Sequence, residues 1–153
     1  MKSIILFLSF LLLLGFCFAE EKAEGDFRDL TWGTPFSELQ DQLVKSSNKM
    51  PRFKSYELKN DVLEYEGIAV HLISYGFRKG KLEAVSVGLY NKDVEAVVAV
   101  LTEKYGEPKK VETPLLMNWE WHPERSDIAV SYFPTKKGDK GAAIGFSKSR
   151  SLK

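Results

Sequence analysis

The sequence predicts an α+β domain in which two helices pack on one face of an antiparallel sheet. Apolar residues recur at helical spacing in two segments, and each segment is followed by runs rich in alternating β-branched and aromatic residues. Tight turns separate those runs, as in the segment 78–81 (Arg-Lys-Gly-Lys), so neighbouring strands are expected to form antiparallel meanders.

Residues 1–19 are predicted to be a cleavable secretory signal. Lys2 precedes a nearly unbroken apolar run, and the small residues Cys17 and Ala19 stand three and one positions before the expected cut. The protein is therefore expected to be exported, to the periplasm or beyond the cell.

Two alternatives to cleavage compete with this prediction. A membrane anchor would need about 20 apolar residues to span a bilayer, and this run is shorter. A lipoprotein would be acylated at Cys17, but the bulky Phe16 precedes that residue where a small one is preferred. Since Cys17 is the only cysteine, the mature chain would hold no disulfide and no thiolate metal site.

A single domain is predicted over residues 20–147, with a basic tail over 148–153. The formal net charge of the whole chain is only +1, which together with export disfavours nucleic acid as a partner. Six basic residues fall in 136–153 against Asp139 alone. That segment could touch an anionic membrane, although solubility is the more common role of a charged end.

The first helix is predicted to begin at Thr34, as N-cap, with Pro35 in its first turn, and to end near Lys45. Trp32 and Gly33 are expected to fix its entry, the ring packing on the sheet while glycine permits a close turn. Its apolar face comprises Phe36, Leu39 and Leu43.

A loop is predicted from residue 45 to residue 61, and three strands after it, at 62–65, 68–77 and 82–90. The second helix is expected to be capped by Asn91 and closed by Gly106, ahead of Pro108. Three more strands are predicted, at 119–121, 127–133 and 141–147.

An internal duplication of a helix-plus-meander unit, over 27–90 and 91–147, is one interpretation of this order. A shift of 57 positions aligns Ser74-Tyr75 with Ser131-Tyr132 and Val87-Gly88-Leu89 with Ile144-Gly145-Phe146. The alternative is that two unrelated meanders share a period of two.

No catalytic, metal-binding or cofactor-binding residues are predicted. The two histidines, His71 and His122, lie far apart in sequence and lack the spacing of a zinc site. His71 is expected to be partly buried beside Ile73, and His122 to lie in an exposed corner. Carboxylates such as Glu64 and Glu120 support only an alternative hypothesis, a small hydrolase acting on envelope polymers.

Aromatic residues are the main candidates for a binding surface. Trp119 and Trp121 stand two apart, so both should point to one face of a strand, and Tyr132 adds a third ring. An exposed face of this kind would anchor a partner protein, whereas a buried one would be part of the core.

The chain resembles a group of small exported bacterial proteins that share an F-R-x-x-x-W-G opening, here Phe27-Arg28 followed by Trp32-Gly33. It also has their helix stop, at Tyr105-Gly106-Glu107-Pro108. The order of helix and meander is also similar to BamE-type outer-membrane assembly lipoproteins and to tandem β-lactamase inhibitor proteins. This resemblance implies a binding or assembly role without catalysis. It carries no functional residues across.

The leading hypothesis is therefore a non-catalytic module that binds another envelope protein, through a strand edge or through the face of Trp119 and Trp121. A small hydrolase and a carrier of lipid or another small molecule are the alternatives.

Overall fold

The computed structural model describes residues 26–114, 116–134 and 140–150. The predicted signal and the last three residues of the predicted tail lie outside these ranges. Across the described part of the chain, no helix has the length and apolar character needed to cross a membrane.

The described residues form two α-helices and ten strands, joined by turns and loops. Eight of the strands form one antiparallel sheet in the order β1-β2-β5-β6-β10-β9-β8-β7. The α+β class is confirmed, with sheet as the dominant part. The remaining strands, β3 and β4, form a separate hairpin. The elements in chain order are α1 (Phe36–Leu39), β1 (Leu43–Lys45), β2 (Lys54–Leu58), β3 (Glu64–Tyr65), β4 (Ile68–Ala69), β5 (Leu72–Arg78), β6 (Lys81–Leu89), α2 (Val94–Tyr105), β7 (Lys109–Thr113), β8 (Leu116–Trp121), β9 (Ser126–Pro134) and β10 (Lys140–Lys148).

Each half of the chain supplies a helix and then four neighbouring strands of the large sheet, not the three predicted. The halves meet in the centre, where β6 pairs with β10 and Val87 lies opposite Ile144. The strands that the sequence did not predict, β1, β2 and β7, are the outer ones. Because outer strands bury less of their surface, they contain fewer apolar residues and give a weaker alternating pattern.

The first helix is much shorter than predicted. It ends at Leu39, a 3-10 turn follows over Gln40–Gln42, and the chain then extends into β1. Leu43, expected on the helical face, is buried as a strand residue opposite Leu58. Thr34 does not cap the helix, since its hydroxyl donates to the carbonyl of Thr31. Beyond Leu39 the apolar spacing supported only one further helical turn. Strand pairing with β2 outweighs this weak helical preference.

The second helix agrees closely with the prediction. Val94, Val97 and Leu101 are fully buried along one face. It ends at Gly106, whose φ of 84° is in the region that favours glycine and whose N–H donates to the carbonyl of Thr102. A 3-10 turn over Asn91–Asp93 precedes the helix in place of the predicted side-chain cap.

One continuous hydrophobic core holds these elements together. It joins the buried face of α2 to one alternating set of strand residues, and Phe36 and Leu39 of α1 pack against it. Its central strand residues are Ile73, Tyr75, Phe77, Val85, Val87, Ile128, Val130, Ile144 and Phe146.

Trp32 connects the segment before α1 to the second half of the sheet. Its side chain is 8% exposed, and its indole Nε1 donates to the buried Ser126 hydroxyl at 2.9 Å. Gly33 follows with a φ of 96° and donates its N–H to the carbonyl of Leu82. The tryptophan thus packs in the core while the glycine allows the chain to turn onto β6.

A second link runs from Asp26 to the turn between β8 and β9. The Asp26 carboxylate accepts two hydrogen bonds from Arg125, at 2.7 and 3.0 Å, and one from the backbone N–H of Trp32 at 2.6 Å. Burial opposes ionisation of this group. This effect of burial is outweighed by the hydrogen bonds from Arg125 and from the Trp32 N–H, together with the positive charges of Arg125 and Lys148. The pKa of Asp26 is therefore lowered.

Candidate functional site

The predicted aromatic surface lies on the core side of the sheet. Trp121 is only 3% exposed, and its indole N–H donates to the carbonyl of Gly106 at 2.8 Å. Trp119 and Tyr132 are partly buried against the core, with ring centroids 6.1 Å apart, and the Tyr132 hydroxyl donates to the carbonyl of Asn91. Because Trp121 is a core residue, the pair Trp119 and Trp121 does not form an exposed platform.

The histidines occupy two different surface sites. His71 is exposed, contrary to expectation, and its imidazole lies over Gly88 and edge-on to the ring of Tyr90. His122 is exposed, as expected. The described residues contain no group of three or more His, Cys, Asp or Glu side chains arranged to hold a metal ion.

His122 brings two carboxylates of neighbouring strands together. Its Nδ1 lies 2.9 Å from Oδ1 of Asp127, and its Nε2 lies 4.0 Å from Oε2 of Glu120. Glu64, the other predicted carboxylate, is exposed on the separate hairpin of β3 and β4. The fold therefore assigns Glu120 and Glu64 to different sheets.

A buried hydroxyl network lies between β1 and β5. The Ser46 hydroxyl donates to Glu57 at 2.5 Å and lies 2.9 Å from the Ser74 hydroxyl, while the N–H of Asn48 donates to Ser46. Ser46 and Ser74 are 8% and 0% exposed. The Ser46 hydroxyl thus donates one hydrogen bond, to Glu57, and accepts another from the backbone of the β1–β2 loop. These bonds hold the loop in place.

The side of the large sheet away from the core is covered with small residues along its central strands. Successive pairs across the sheet place Gly88, Ala143 and Ser131 in one row and Ser86, Gly145 and Ala129 in the next. Gly88 is buried under the ring of His71, so we call the other five small residues, with Tyr90 and Phe133, the open face. Gly145 is exposed, and the nearest atom to a Cβ added there would be 4.0 Å away.

Two aromatic rings border the open face at one end. Phe133 is the partner of Gly141 across β9 and β10, and Tyr90 follows Leu89, the partner of Ala142. Gly141 therefore lies between the two rings. Tyr90 is 47% exposed and Phe133 is 39% exposed, which are large fractions for aromatic side chains.

A loop covers the outer part of the first half of the sheet. The β1–β2 loop folds over Gly76, so that a Cβ at that position would lie 2.9 Å from Cε of Met50 and 3.2 Å from Cβ of Phe53. In the second half, β7 ends at Thr113 and β8 begins at Leu116, so the connection between these two strands is only two residues long.

The acidic pair Glu120 and Asp127 borders the open face at the second half. Glu120 is the partner of Ala129, and Asp127 is the partner of Ser147. The sequence gives only a weak indication of this surface, because Gly, Ala and Ser at every second strand position are weak strand formers. The alternation of small with apolar residues in 84–88 and 142–146 was the available signal.

Comparison with known proteins gave no match to a family model, to a curated protein or to a solved structure.

Proposed function

We propose that this chain is an exported, non-catalytic binding module that holds another envelope protein against its open face. The observation that carries the proposal is the composition of that face: five small residues on three central strands, with Tyr90 and Phe133 at one end. Small side chains let the backbone of a partner approach closely, and exposed aromatic rings are frequent anchors of interfaces.

The proposal places both helices on the opposite side of the sheet. The buried residues of α2 and the partly buried Phe36 and Leu39 of α1 support this, because they join the same core cluster as the inward strand residues. Export rests on the predicted signal over residues 1–19.

The chemistry of the open face favours a partner with a protruding loop. A flat partner surface would leave the floor of small residues unfilled, whereas a loop can bring large side chains to it. An apolar side chain of that loop would contact the exposed rings of Tyr90 and Phe133. Glu120 lies about 13 Å further along, since its partner Ala129 is four residues of roughly 3.3 Å from Phe133 on β9, and together with Asp127 it suits a basic side chain.

The test uses a blocking variant at an exposed position. Gly145→Arg adds a long side chain to the open face at a residue where an added Cβ would meet only the carbonyl oxygen of Ala129, at 4.0 Å. Glu95→Arg places the same side chain on the exposed surface of α2 and serves as the matched control.

A photo-cross-linking residue at Ser131, in the native host, is expected to yield one protein adduct of defined mass. The captured protein, once purified, should bind the wild-type chain and the Glu95→Arg variant equally, and should bind Gly145→Arg roughly tenfold or more weakly. Equal binding of all three chains would exclude the open face as the interface. An adduct only with a second copy of this chain, or no adduct, would also reject the proposal.

A further inference from the structure

A cavity of about 550 Å³ lies at the end of the sheet where α1, the start of β2 and the β5–β6 turn meet. It has no lining residue in common with the open face. Its size is within the range of sites that bind small molecules, roughly 300–1,000 Å³.

Aromatic rings form one wall of this cavity. The ring centroids of Phe36 and Tyr56 are 4.9 Å apart, those of Phe36 and Phe77 are 5.3 Å apart, and those of Tyr56 and Phe77 are 5.8 Å apart. Phe53 is a fourth ring in the lining. Contact with these rings would remove the apolar part of a ligand from water.

Four cations line the same cavity, and no acidic residue does: Arg52, Lys54, Arg78 and Lys79. Arg78 forms an ion pair with Glu83 and lies 5.7 Å from the centroid of Phe53. The side chains of Arg52, Lys54 and Lys79 have no ion pair or hydrogen bond with any residue that the structure describes.

The combination distinguishes this cavity from an ordinary charged surface. Exposed cations usually spread apart or pair with carboxylates, because like charges repel. Here three cations that have no partner among the described residues, and one arginine with a single ion-pair partner, line one concave site with aromatic walls. A concave site lined by one sign of charge concentrates ions of the opposite sign.

We propose that this cavity binds a small amphipathic anion. The apolar body of the ligand, an aromatic ring or an acyl chain, contacts Phe36, Tyr56 and Phe77. Its carboxylate, phosphate or sulfonate group contacts the cations at the mouth, where Arg52 offers a planar pair of donors and Lys79 a point charge.

The test is a titration of the folded chain followed by amide chemical shifts in NMR spectra. The probes are decanoate and 2-naphthoate, their neutral analogues decanol and 2-naphthalenemethanol, and inorganic phosphate. At least one carboxylate should saturate with shifts centred on Gly80 and Arg52. Its neutral analogue and phosphate should bind at least roughly tenfold more weakly, since each lacks one of the two required parts. Which carboxylate saturates tells an acyl ligand from an aromatic one.

The double variant Arg52→Gln, Lys79→Gln should weaken binding of that carboxylate roughly tenfold or more. Lys92→Gln, which removes an exposed cation before α2, is the matched control and should leave binding unchanged. All three positions are exposed, so unchanged melting temperatures are expected. Equal binding of a neutral analogue, shifts centred elsewhere, equal loss in the control or no saturation would each overturn the proposal.

Discussion

Replacing Trp32 tests whether the segment before α1 is held by the core. The indole is 8% exposed and its N–H is paired with Ser126, so Trp32→Ala removes a large buried ring and leaves a buried hydroxyl without its donor. Core Trp→Ala changes cost about 3–5 kcal/mol. For a domain of this size we expect the melting temperature to fall by about 10–15 °C.

A double-mutant cycle separates the hydrogen bond from the packing. Ser126→Ala leaves the indole N–H unpaired and should cost about 1–3 kcal/mol, and Trp32→Phe keeps most of the ring but removes the donor. If the bond forms as observed, the double variant should be less destabilised than the sum of the singles by about 1 kcal/mol. The assay is chemical denaturation with all four chains. Additive effects, or a melting temperature of Trp32→Ala within about 2 °C of wild type, would refute the reasoning.

Three further predictions concern charge and glycine. The folded pKa of Asp26 lies below its unfolded value of about 3.9, so its carboxylate stabilises the fold above that value and the contribution is lost as pH falls through the folded pKa. Thermal melts of wild type and Asp26→Asn should therefore differ at pH 7 and converge below about pH 4, and a constant difference would contradict this. Gly76→Ala should cost about 1–3 kcal/mol by overpacking against the β1–β2 loop, whereas Gly88→Ala should cost less, because the exposed His71 ring can rotate away. A larger melting shift for Gly88→Ala than for Gly76→Ala would reverse that argument. Gly106→Ala should cost about 1–3 kcal/mol, since φ of 84° and ψ of −172° are accessible almost only to glycine, and an unchanged denaturation midpoint would contradict it.

The sequence predicted elements whose apolar pattern is dense and failed where the pattern is sparse. Val94, Val97 and Leu101 repeat at helical spacing, and α2 forms as predicted. β2 has only Tyr56 and Leu58 facing inward, and its polar alternation was interpreted as a loop. In β1, Leu43 has the right spacing for a helix as well as for a strand, and only pairing with β2 decides between them.

The candidate surfaces were harder to predict than the fold because they depend on register. Trp119 and Trp121 share a face, as predicted, but only the packing of Trp121 on Gly106 shows that this face is the core side. At the cavity, the ring centroids of Phe36 and Phe77 lie 5.3 Å apart. These residues are 41 positions apart in the sequence, so no local pattern indicates their contact. Two of its cations, Arg52 and Lys54, lie in the segment predicted as a loop, and the other two, Arg78 and Lys79, lie in the predicted hairpin turn.

The register of the two central hairpins bears on the duplication hypothesis. In β5–β6, Ser74 lies opposite Ser86, and Ile73 lies opposite Val87. The shift of 57 positions found in the sequence carries these pairs onto Ser131 opposite Ala143 and Val130 opposite Ile144, which are the pairs observed in β9–β10. A duplicated unit predicts this agreement. Two unrelated meanders would have to match in register as well as in period.

The correspondence ends at the second strand of each half. Tyr56 is opposite Tyr75, so the same shift would place residue 113 opposite Tyr132, yet Met117 occupies that place. The first half also has the β3–β4 hairpin between its second and third strands. If the halves began alike, they diverged in their connections. On that hypothesis, the halves differ in the connection between their first two strands: the β1–β2 loop covers the sheet and lines the cationic cavity, whereas the β7–β8 connection is a two-residue turn. The cationic cavity would then be a product of this difference.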